Sequence, residues 1–377
     1  MKKIGISTVH TGFNYGSALQ AFASKVILKE LGYQGVNISL KGSIMKGRDV
    51  RLKKIVVIAL RLLRQPHNIK KRVSVYGDNI SKSYSDRTKE LFINFRHDKI
   101  EPYSCTWNQL KRLAKNDDYK AFLCGSDQIW NSEALYVDPQ YYLRFAPKYK
   151  RIAFAPSFGR DKIANYNKDI ITKYIKDIPN LSVREESGVS IIKELTNKDA
   201  THLIDPTLVL DAKKWDEYLE LQENPLDNEK YILAYFLNEP SDYAKDCIKN
   251  LAEKHKLKVI ALPYKREVTD WLDFASDAGP IEFVQYVKNA SYVFTDSFHG
   301  TAFAVNYEVP FNTFERQYGS AGKQSSRLVS FLKLVSLENR FNPSMELLDT
   351  PIDFRESKFV LESERQKSLD YLLRALQ

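Results

Sequence analysis

The sequence predicts an α/β fold with parallel sheets, and two observations support this prediction. Short apolar runs that suit buried parallel strands alternate with segments of helical periodicity along most of the chain. Where such a run ends, a polar or small turn residue and then a helix follow, as in Ser291–Val305, where Tyr292–Thr295 precedes a small-residue segment from Gly300. Because the same rhythm recurs in both halves, we expect two units of this kind and a C-terminal helix.

The N-terminal segment predicts the opening of a Rossmann-type unit. Lys3–Val9 has strand character, a glycine-containing loop follows, and Ala18–Leu31 has the apolar spacing of a helix that ends at Gly32. The loop lacks the G-x-G-x-x-G pattern, so it does not predict a dinucleotide. Asn14 and Gly16 either line a ligand pocket or form a tight turn between the strand and the helix.

The remaining elements follow the same rhythm. Further strands are predicted at Tyr119–Cys124, Arg151–Ala155, Asn180–Val183, Tyr231–Leu237 and Lys258–Pro263. Helices are predicted at Asp242–His255, at Ile281–Asn289, at Glu356–Ala375 and from a serine N-cap at Ser325-Ser326. An acidic stretch after residue 210 indicates a domain boundary, which gives domains at 1–210 and 211–335 and a helical tail at 336–377.

Composition excludes several classes of protein. With 377 residues, of which 43% are hydrophobic and 28% charged, the chain is predicted to be globular with more than one domain. The N-terminal apolar run is too short for a signal peptide, and no window approaches the roughly 18 apolar residues of a membrane span. Three cysteines and six histidines without metal-ligand spacing indicate no metal site and a reducing, cytoplasmic location.

The positive charge is concentrated in one segment. Between Lys41 and Arg72 there are eleven Lys and Arg residues against a single acid, Asp49, which accounts for the net charge of +10 of the whole chain. The segment has no aromatic residue for base stacking, so we do not expect nucleic-acid binding.

Within a basic helical insertion at 41–75, the stretch Val50–Arg64 predicts an amphipathic helix. Its cationic face is formed by Lys53, Lys54, Arg61 and Arg64. This helix either covers the core with a solvated charged face or contacts an anionic membrane surface or an anionic carrier.

His299 is the first candidate for a functional residue. It lies where the strand Tyr292–Thr295 is expected to end and a helix to begin, and Ser297 and Gly300 share its turn. At such a place, free backbone N–H groups and the helix dipole favour an anion. A histidine there can also transfer a proton near neutral pH. The alternative is a core histidine bonded to a backbone carbonyl.

The turn after the predicted strand Tyr119–Cys124 carries a second group of candidates. It contains Asp127, Gln128 and Trp130. These side chains either bind a sugar through hydrogen bonds and a ring face, or they form an Asx turn with Trp130 in the core.

Arg184 is a third candidate, because it follows the predicted strand Asn180–Val183 and precedes a helix. It either forms a salt bridge, to Glu185 or Glu186, or binds a phosphate or carboxylate group.

Six motifs, taken together and in order, resemble those of the polysaccharide pyruvyl transferase family. They are N-Y-G-S-A-L-Q-A at 14–21, C-G-S-D-Q-I-W-N at 124–131, V-R-E-E-S-G at 183–188, D-P-T at 205–207, T-D-S-F-H-G-T at 295–301 and S-S-R at 325–327. The resemblance spans about residues 1–335 and leaves out the basic segment and the C-terminal residues. It implies two Rossmann-like domains that face a cleft, as in GT-B glycosyltransferases.

The resemblance also implies a reaction. Family members transfer a pyruvyl group from phosphoenolpyruvate to sugar hydroxyls of a surface polysaccharide or its lipid-linked precursor, usually leaving a cyclic ketal and releasing phosphate. The expected partners are the donor phosphoenolpyruvate and a glycan acceptor, often built on polyprenyl diphosphate at the inner face of the cell membrane. Peripheral contact with that anionic membrane is expected, and neither a metal nor a cofactor is implied.

Positions that match the family motifs carry the implied roles. Arg184 and His299 bind the donor, and His299 serves either as general acid or as a phosphate ligand. Some family members have an Arg two residues before this His, where Ser297 stands here, so Arg327 is expected to supply the missing cation. Asp127 is expected to orient or deprotonate the acceptor hydroxyl.

Two other functions fit parts of the sequence. A GT-B glycosyltransferase with a nucleotide-sugar donor commonly presents acidic residues to the donor ribose, whereas this chain has Ser297, His299 and Arg327 at that place. A non-catalytic module would bind an anionic glycan or nucleic acid through residues 41–72, and would lose binding without them.

Overall fold

The computed structural model describes residues 1–41, 84–133, 136–221, 229–262, 276–316 and 326–377, together with Val56, Ala59, Leu60, Leu63 and Leu272. The predicted amphipathic helix Val50–Arg64 therefore lies outside the described residues, except for four positions that are helical and exposed. The N-cap predicted at Ser325 also lies outside them.

The first sheet has five parallel strands. They are β1 Lys3–Ser7, β2 Gln34–Leu40, β3 Tyr103–Cys105, β4 Tyr119–Cys124 and β5 Arg151–Ala153, in the order β3-β2-β1-β4-β5. The carboxyl ends of three neighbouring strands are in register, since Ser7 pairs with Cys124 and Cys124 with Ala153. The loops that follow these strands therefore meet at one edge of the sheet, which is where open α/β sheets bind ligands.

A short parallel pair of strands, β6 Ser182–Val183 and β7 Thr201–His202, extends this edge. It is joined to β5 by a bridge between Ile152 and Asn180 and by the Ser182 hydroxyl, which donates to the Ala153 carbonyl at 2.7 Å. This pairing places Arg184, the residue after β6, beside the loop that follows β5.

The second sheet has four parallel strands. They are β8 Tyr231–Tyr235, β9 Lys258–Ala261, β10 Tyr292–Thr295 and β11 Phe311–Thr313, in the order β11-β10-β8-β9. Buried residues fill the two central strands, which explains why the sequence shows continuous apolar runs rather than alternation.

Helices connect and cover both sheets. They are α1 Tyr15–Glu30, α2 Asp86–Phe95, α3 Trp107–Leu113, α4 Lys168–Lys176, α5 Glu186–Thr196, α6 Pro206–Val209, α7 Ala212–Leu219, α8 Asp242–His255, α9 Pro280–Asn289, α10 Phe298–Asn306, α11 Ser326–Leu334 and α12 Arg355–Ala375. Short turns of 3₁₀ helix lie at Pro139–Tyr142, Lys148–Lys150, Asn165–Asn167 and Glu338–Arg340, and a π-helical turn, Arg96–Ile100, continues α2. Among the described residues, none of the helices combines the length and apolar character needed to cross a membrane.

One hydrophobic cluster joins the two halves. Leu19 and Phe22 of α1 belong to the same buried cluster as Phe283 of α9 and Phe303 of α10. At its centre the Tyr15 ring stacks on Phe283, with ring centroids 4.7 Å apart. Helices of the second sheet are therefore packed directly against α1, which brings the ligand-binding edges of the two sheets together.

The C-terminal helix α12 contacts elements of both sheets. The Tyr371 hydroxyl donates to the Ala153 carbonyl of β5 at 2.8 Å, and Arg365 Nε donates to the Leu208 carbonyl of α6 at 3.0 Å. Arg365 Nη2 also donates to Asn306 of α10 at 2.7 Å. The predicted fold class, with two Rossmann-like units and a C-terminal helix, is confirmed; the boundaries predicted at residues 210 and 335 stay predictions.

Three of the predicted elements have the bounds that the structure shows. The strands Tyr119–Cys124 and Tyr292–Thr295 and the helix Asp242–His255 have the predicted bounds. The first helix was expected at Ala18 but begins at Tyr15, because Asn14 caps it.

Candidate active site

The N-terminus of α10 places His299 at the carboxyl end of β10. Ser297 is the N-cap residue, and its hydroxyl accepts the backbone N–H of Gly300 at 3.4 Å. A Cβ on Gly300 would come within 2.6 Å of the Thr295 hydroxyl, so glycine is needed for the helix to pack this closely on β10. Ser297 and Gly300 therefore form and pack the turn, and their contact with substrate stays a prediction.

His299 projects across to the first sheet and meets α1. A Cβ on Gly16 would lie 1.9 Å from His299 Nδ1, closer than real Cβ contacts allow. The imidazole therefore lies directly on the backbone of Gly16. Asn14 caps the same helix by accepting the Ser17 N–H at 3.0 Å, as the tight-turn interpretation predicts, so its side chain is used for the turn.

Asp205 is fully buried and contacts both Arg184 and His299, and these three residues are the centre of a cluster of buried charged side chains. It caps α6, where Oδ1 accepts the backbone N–H and the hydroxyl of Thr207 at 3.0 and 2.8 Å. Oδ2 accepts the Ser126 hydroxyl at 2.8 Å and a hydrogen bond from Arg184, and it lies 3.8 Å from His299 Nε2. Burial alone would raise the pKa of Asp205, but the positive charge of Arg184 and the adjacent His299 outweigh burial and hold it well below its usual range.

Arg184 is almost completely buried beside Asp205. Its guanidinium carbon lies 4.7 Å from the centroid of the Phe298 ring, which fixes the plane of the group. Burial would lower the pKa of Arg184, but the carboxylates of Asp205 and Glu185 outweigh burial and raise it. Arg184 therefore forms a salt bridge, but mainly with Asp205, since the predicted partner Glu185 lies 4.0 Å from Nε. Nε and Nη2 have no hydrogen-bond partner among the described residues.

Arg327, on α11, supplies a second guanidinium to the same pocket. It lines this pocket together with Arg184, Asp205 and Phe298. The amide oxygen of Gln128 is assigned to face Arg327, because in that orientation it accepts hydrogen bonds from both terminal nitrogens, Nη1 at 2.8 Å. Burial and the charge of Arg184 lower the pKa of Arg327 to about 10.

Asp127 follows β4 in a left-handed conformation, with φ of 65°. Its Oδ2 accepts the Ser17 hydroxyl at 2.5 Å, and its Oδ1 accepts the backbone N–H of Gln128 at 2.7 Å. Asp127 also contributes to the electrostatic field at Arg184 and Arg327. The turn after β4 thus lies close to Arg184 and Arg327.

Trp130 lies elsewhere. Its side chain is fully buried, its ring stacks on Tyr142 at 5.4 Å between centroids, and its N–H donates to the Tyr141 carbonyl at 2.9 Å. A ring enclosed in this way has no face left for a sugar, so the core interpretation of Trp130 is correct and its expected contact with substrate is wrong.

The buried polar atoms of the cluster are not all satisfied. Among the described residues, Arg184 Nε and Nη2, Arg327 Nε and His299 Nε2 lack a hydrogen-bond partner, and so does one acceptor, Glu185 Oε2. Buried polar groups in native proteins are almost always paired, so this concentration at one place indicates a site for a polar ligand. The described residues contain no group of His, Cys, Asp or Glu side chains with the arrangement of a metal site.

The structure therefore brings together most of the expected residues: Gly16, Asp127, Gln128, Arg184, His299 and Arg327. Sequence reasoning missed Asp205 as a site residue. The signal was present, because D-P-T at 205–207 is one of the family-like motifs, but an Asp before Pro and Thr also has an ordinary explanation as a helix cap. Its second role, as the partner of Arg184, depends on the pairing of β6 with β7.

Two parallel sheets with a cluster of buried charged side chains where their carboxyl-terminal edges meet define an α/β protein of the kind that the motifs implied. The family model of polysaccharide pyruvyl transferase matches residues 14–318. The chain belongs to this family, and it is a transferase with a glycan acceptor.

Several solved structures are similar to the chain at low sequence identity. A structure of S. aureus MnaA with UDP has a TM-score of 0.52 at 12% identity, covering 96% of this chain and 91% of that one. UDP-GlcNAc 2-epimerase from Neisseria meningitidis with UDP-GlcNAc has a TM-score of 0.47 at 11% identity, covering 96% of this chain and 99% of that one. The glycosyltransferase SnogD from Streptomyces nogalater has a TM-score of 0.43 at 10% identity, and both chains are fully covered. No curated protein sequence matches the chain significantly.

Proposed function

We propose that the protein transfers the pyruvyl group of phosphoenolpyruvate to hydroxyls of a glycan acceptor and releases phosphate. One observation carries this proposal: buried nitrogen atoms of Arg184, Arg327 and His299 lie in one cluster without partners among the described residues. Leaving such a group unpaired costs about 1–3 kcal/mol, and more when it is charged. A ligand that brings several anionic oxygens would pair them, and phosphoenolpyruvate carries both a phosphate and a carboxylate.

The surroundings of Arg327 support the same class of ligand. Its guanidinium is buried beside that of Arg184, and burial and this like charge lower its pKa to about 10 although the carboxylates of Glu185 and Asp127 act in the opposite direction. A dianionic donor relieves this repulsion, whereas a neutral sugar does not. Arg184 and Arg327 are therefore assigned to the two anionic groups of the donor, because each offers planar N–H pairs to oxygen atoms.

The reaction needs a proton at the methylene carbon of the donor. As the C2=C3 electron pair takes that proton, the first acceptor hydroxyl forms a bond to C2 and loses its own proton. The bond between C2 and the phosphate oxygen then breaks, with its electron pair on the phosphate, and a second hydroxyl of the acceptor closes the ketal. His299 is the group we assign as general acid, because it is the histidine of the cluster and its Nε2 lies 3.8 Å from Oδ2 of the buried Asp205.

Phosphate release tests this function directly. The purified protein is supplied with phosphoenolpyruvate and a panel of glycosides, and in a parallel series with nucleotide sugars and the same glycosides. We expect phosphate release that depends on both phosphoenolpyruvate and a glycoside. Release of nucleotide from a nucleotide sugar, without release of phosphate from phosphoenolpyruvate, would establish the glycosyltransferase alternative instead.

The acceptor is proposed to be presented on a polyprenyl diphosphate carrier, with the basic segment 41–72 in peripheral contact with the anionic inner face of the membrane. The support is the sequence, since this segment carries the whole net charge of the chain. Each juxtamembrane cation contributes about 1 kcal/mol near such a surface. Changing Lys53, Lys54, Arg61 and Arg64 together to Gln should release the protein from anionic vesicles without affecting activity on soluble glycosides. If this variant still sediments with the vesicles, the proposed membrane contact is wrong, but the proposed reaction is unaffected.

A further inference from the structure

We infer that Glu185, rather than Asp127, accepts the proton of the attacking acceptor hydroxyl. This inference rests on the proposed function and assigns the proton acceptor that the reaction requires. Among the described residues, the cluster contains one unpaired buried acceptor atom, Glu185 Oε2, besides the unpaired nitrogen atoms of the proposed donor site.

Glu185 is a buried carboxylate that does not cap the helix at whose start it lies. It is the N-cap residue of α5, yet its side chain makes no capping hydrogen bond. The residue is 4% exposed. Oε1 accepts the Ser157 hydroxyl and lies 4.0 Å from Arg184 Nε, while Oε2 is buried without a partner among the described residues. Ser157 thus fixes one oxygen and leaves the other available.

Asp127 differs in this respect, although it lies close by. The backbone N–H of Ser157 donates to the Asp127 carbonyl at 2.9 Å, so one residue contacts both acids. Both carboxylates also act electrostatically on Arg184 and Arg327, which places both at the proposed donor site. Each carboxylate oxygen of Asp127, however, already accepts a hydrogen bond, one from Ser17 and one from the Gln128 backbone. The carboxylate of Asp127 therefore stabilises the turn after β4, whereas Oε2 of Glu185 is available to a hydroxyl group.

The proton balance is complete with the groups named. The O–H bond of the first acceptor hydroxyl breaks as its oxygen bonds to C2 of phosphoenolpyruvate, and the proton passes to Glu185 Oε2. C3 receives its proton from His299. When the second hydroxyl closes the ketal, its proton leaves with the phosphate, and the proton on Glu185 returns to His299 for the next turnover.

The test compares Glu185→Gln with Asp127→Asn in the phosphoenolpyruvate-dependent phosphate-release assay. The Gln side chain keeps an acceptor for Ser157 but cannot take a proton, so kcat should fall by about 10²- to 10⁴-fold. KM for phosphoenolpyruvate should not rise, because the change removes a negative charge next to the donor. Asp127→Asn weakens one hydrogen bond to Ser17 and should lower kcat by no more than about tenfold.

Matched variants separate this role from a structural one. Glu186 is the exposed neighbour of Glu185 on the same helix, so Glu186→Gln should leave kcat unchanged. Glu185→Asp keeps a carboxylate and should regain part of the activity, and thermal unfolding of each variant checks folding. A wild-type kcat in Glu185→Gln, a larger loss in Asp127→Asn, or equal losses in Glu185→Asp and Glu185→Gln would overturn the assignment. A wild-type protein that releases no phosphate with any acceptor would contradict the proposed function itself, and with it this role.

Discussion

The N-termini of α1 and α10 are two similar helix starts with opposite chemistry. Each follows a central strand of a parallel sheet and is capped by a side chain, Asn14 in α1 and Ser297 in α10. The second helical residue is Gly16 in one and His299 in the other, and these two residues are in contact. One helix start therefore supplies the histidine side chain, and the other supplies the space that this side chain occupies.

This difference shows that the site is shared between the halves in unequal parts. The second sheet contributes His299 and Arg327, while the first contributes Gly16, the turn after β4 and the extension that carries Arg184. If this division is correct, changes on the two sides should have different effects. Those on the α10 side should remove chemistry, and those on the α1 side should misplace it.

The largest effect is expected from His299→Ala. Loss of a general acid lowers turnover by about 10²- to 10⁴-fold, and Nε2 of the imidazole has no hydrogen-bond partner among the described residues. We therefore expect kcat for phosphate release to collapse with only a small decrease in melting temperature. A kcat within about tenfold of wild type would show that His299 only packs on Gly16.

Asp205→Asn should mainly lower stability. Removing the carboxylate leaves the guanidinium of Arg184 buried and unpaired, at a cost of about 3–5 kcal/mol in the free energy of unfolding at pH 7. The pKa of Asp205 is lowered in the folded protein, so its contribution is present above the unfolded pKa of about 3.9 and is lost as the pH falls below it. In urea unfolding, the difference between variant and wild type should shrink between pH 5 and pH 3. A difference that stays constant over this range would contradict the pairing.

Gly16→Ala tests the contact between the two helix starts. The added Cβ would come 1.9 Å from His299 Nδ1, so the ring must move. A displacement of about 1 Å lowers turnover by roughly 10²-fold. In a protein that already carries His299→Ala, the same change should cost nothing further, because no ring is left to displace. Additive losses in the double variant would show that Gly16→Ala does not act by displacing the His299 ring.

Arg327→Gln should have the smallest effect on the free protein. The change removes a like charge from beside Arg184 and leaves the melting temperature unchanged or higher. Donor binding loses a charged hydrogen bond, about 1.5–3 kcal/mol, so the increase in melting temperature on adding phosphoenolpyruvate should largely vanish. Arg87→Gln, an exposed charge on α2, serves as the control and should keep the full increase. An unchanged increase in Arg327→Gln would remove Arg327 from the donor site.

The sequence predicted those parts of the fold that depend on local pattern. Tyr119–Cys124 is apolar except for Lys120 because the strand is buried on both faces, and Asp242–His255 follows a serine whose hydroxyl caps the helix. The start of α1 was misplaced because Asn14 and Gly16 also fit a tight turn; Tyr15 is held by Phe283, far away in the chain.

The site was predictable where a motif fixed the position of a side chain, as for Arg184 and His299. It was not predictable where partners distant in sequence decide the outcome. Trp130 is removed from the surface by Tyr142, and Asp205 meets Arg184 because β6 pairs with β7. The free oxygen of Glu185 is likewise invisible in the sequence, since it depends on how Ser157 binds the other one.

The most direct test of the account is the position of phosphoenolpyruvate in a crystal structure of its complex with the protein. We expect its phosphate and carboxylate to lie between the halves, within hydrogen-bond distance of Arg184 Nη2 and Nε and of Arg327 Nε, with C3 facing His299. These are atoms that lack partners among the described residues of the free protein. Phosphoenolpyruvate bound elsewhere, with these nitrogen atoms still unpaired, would contradict the account.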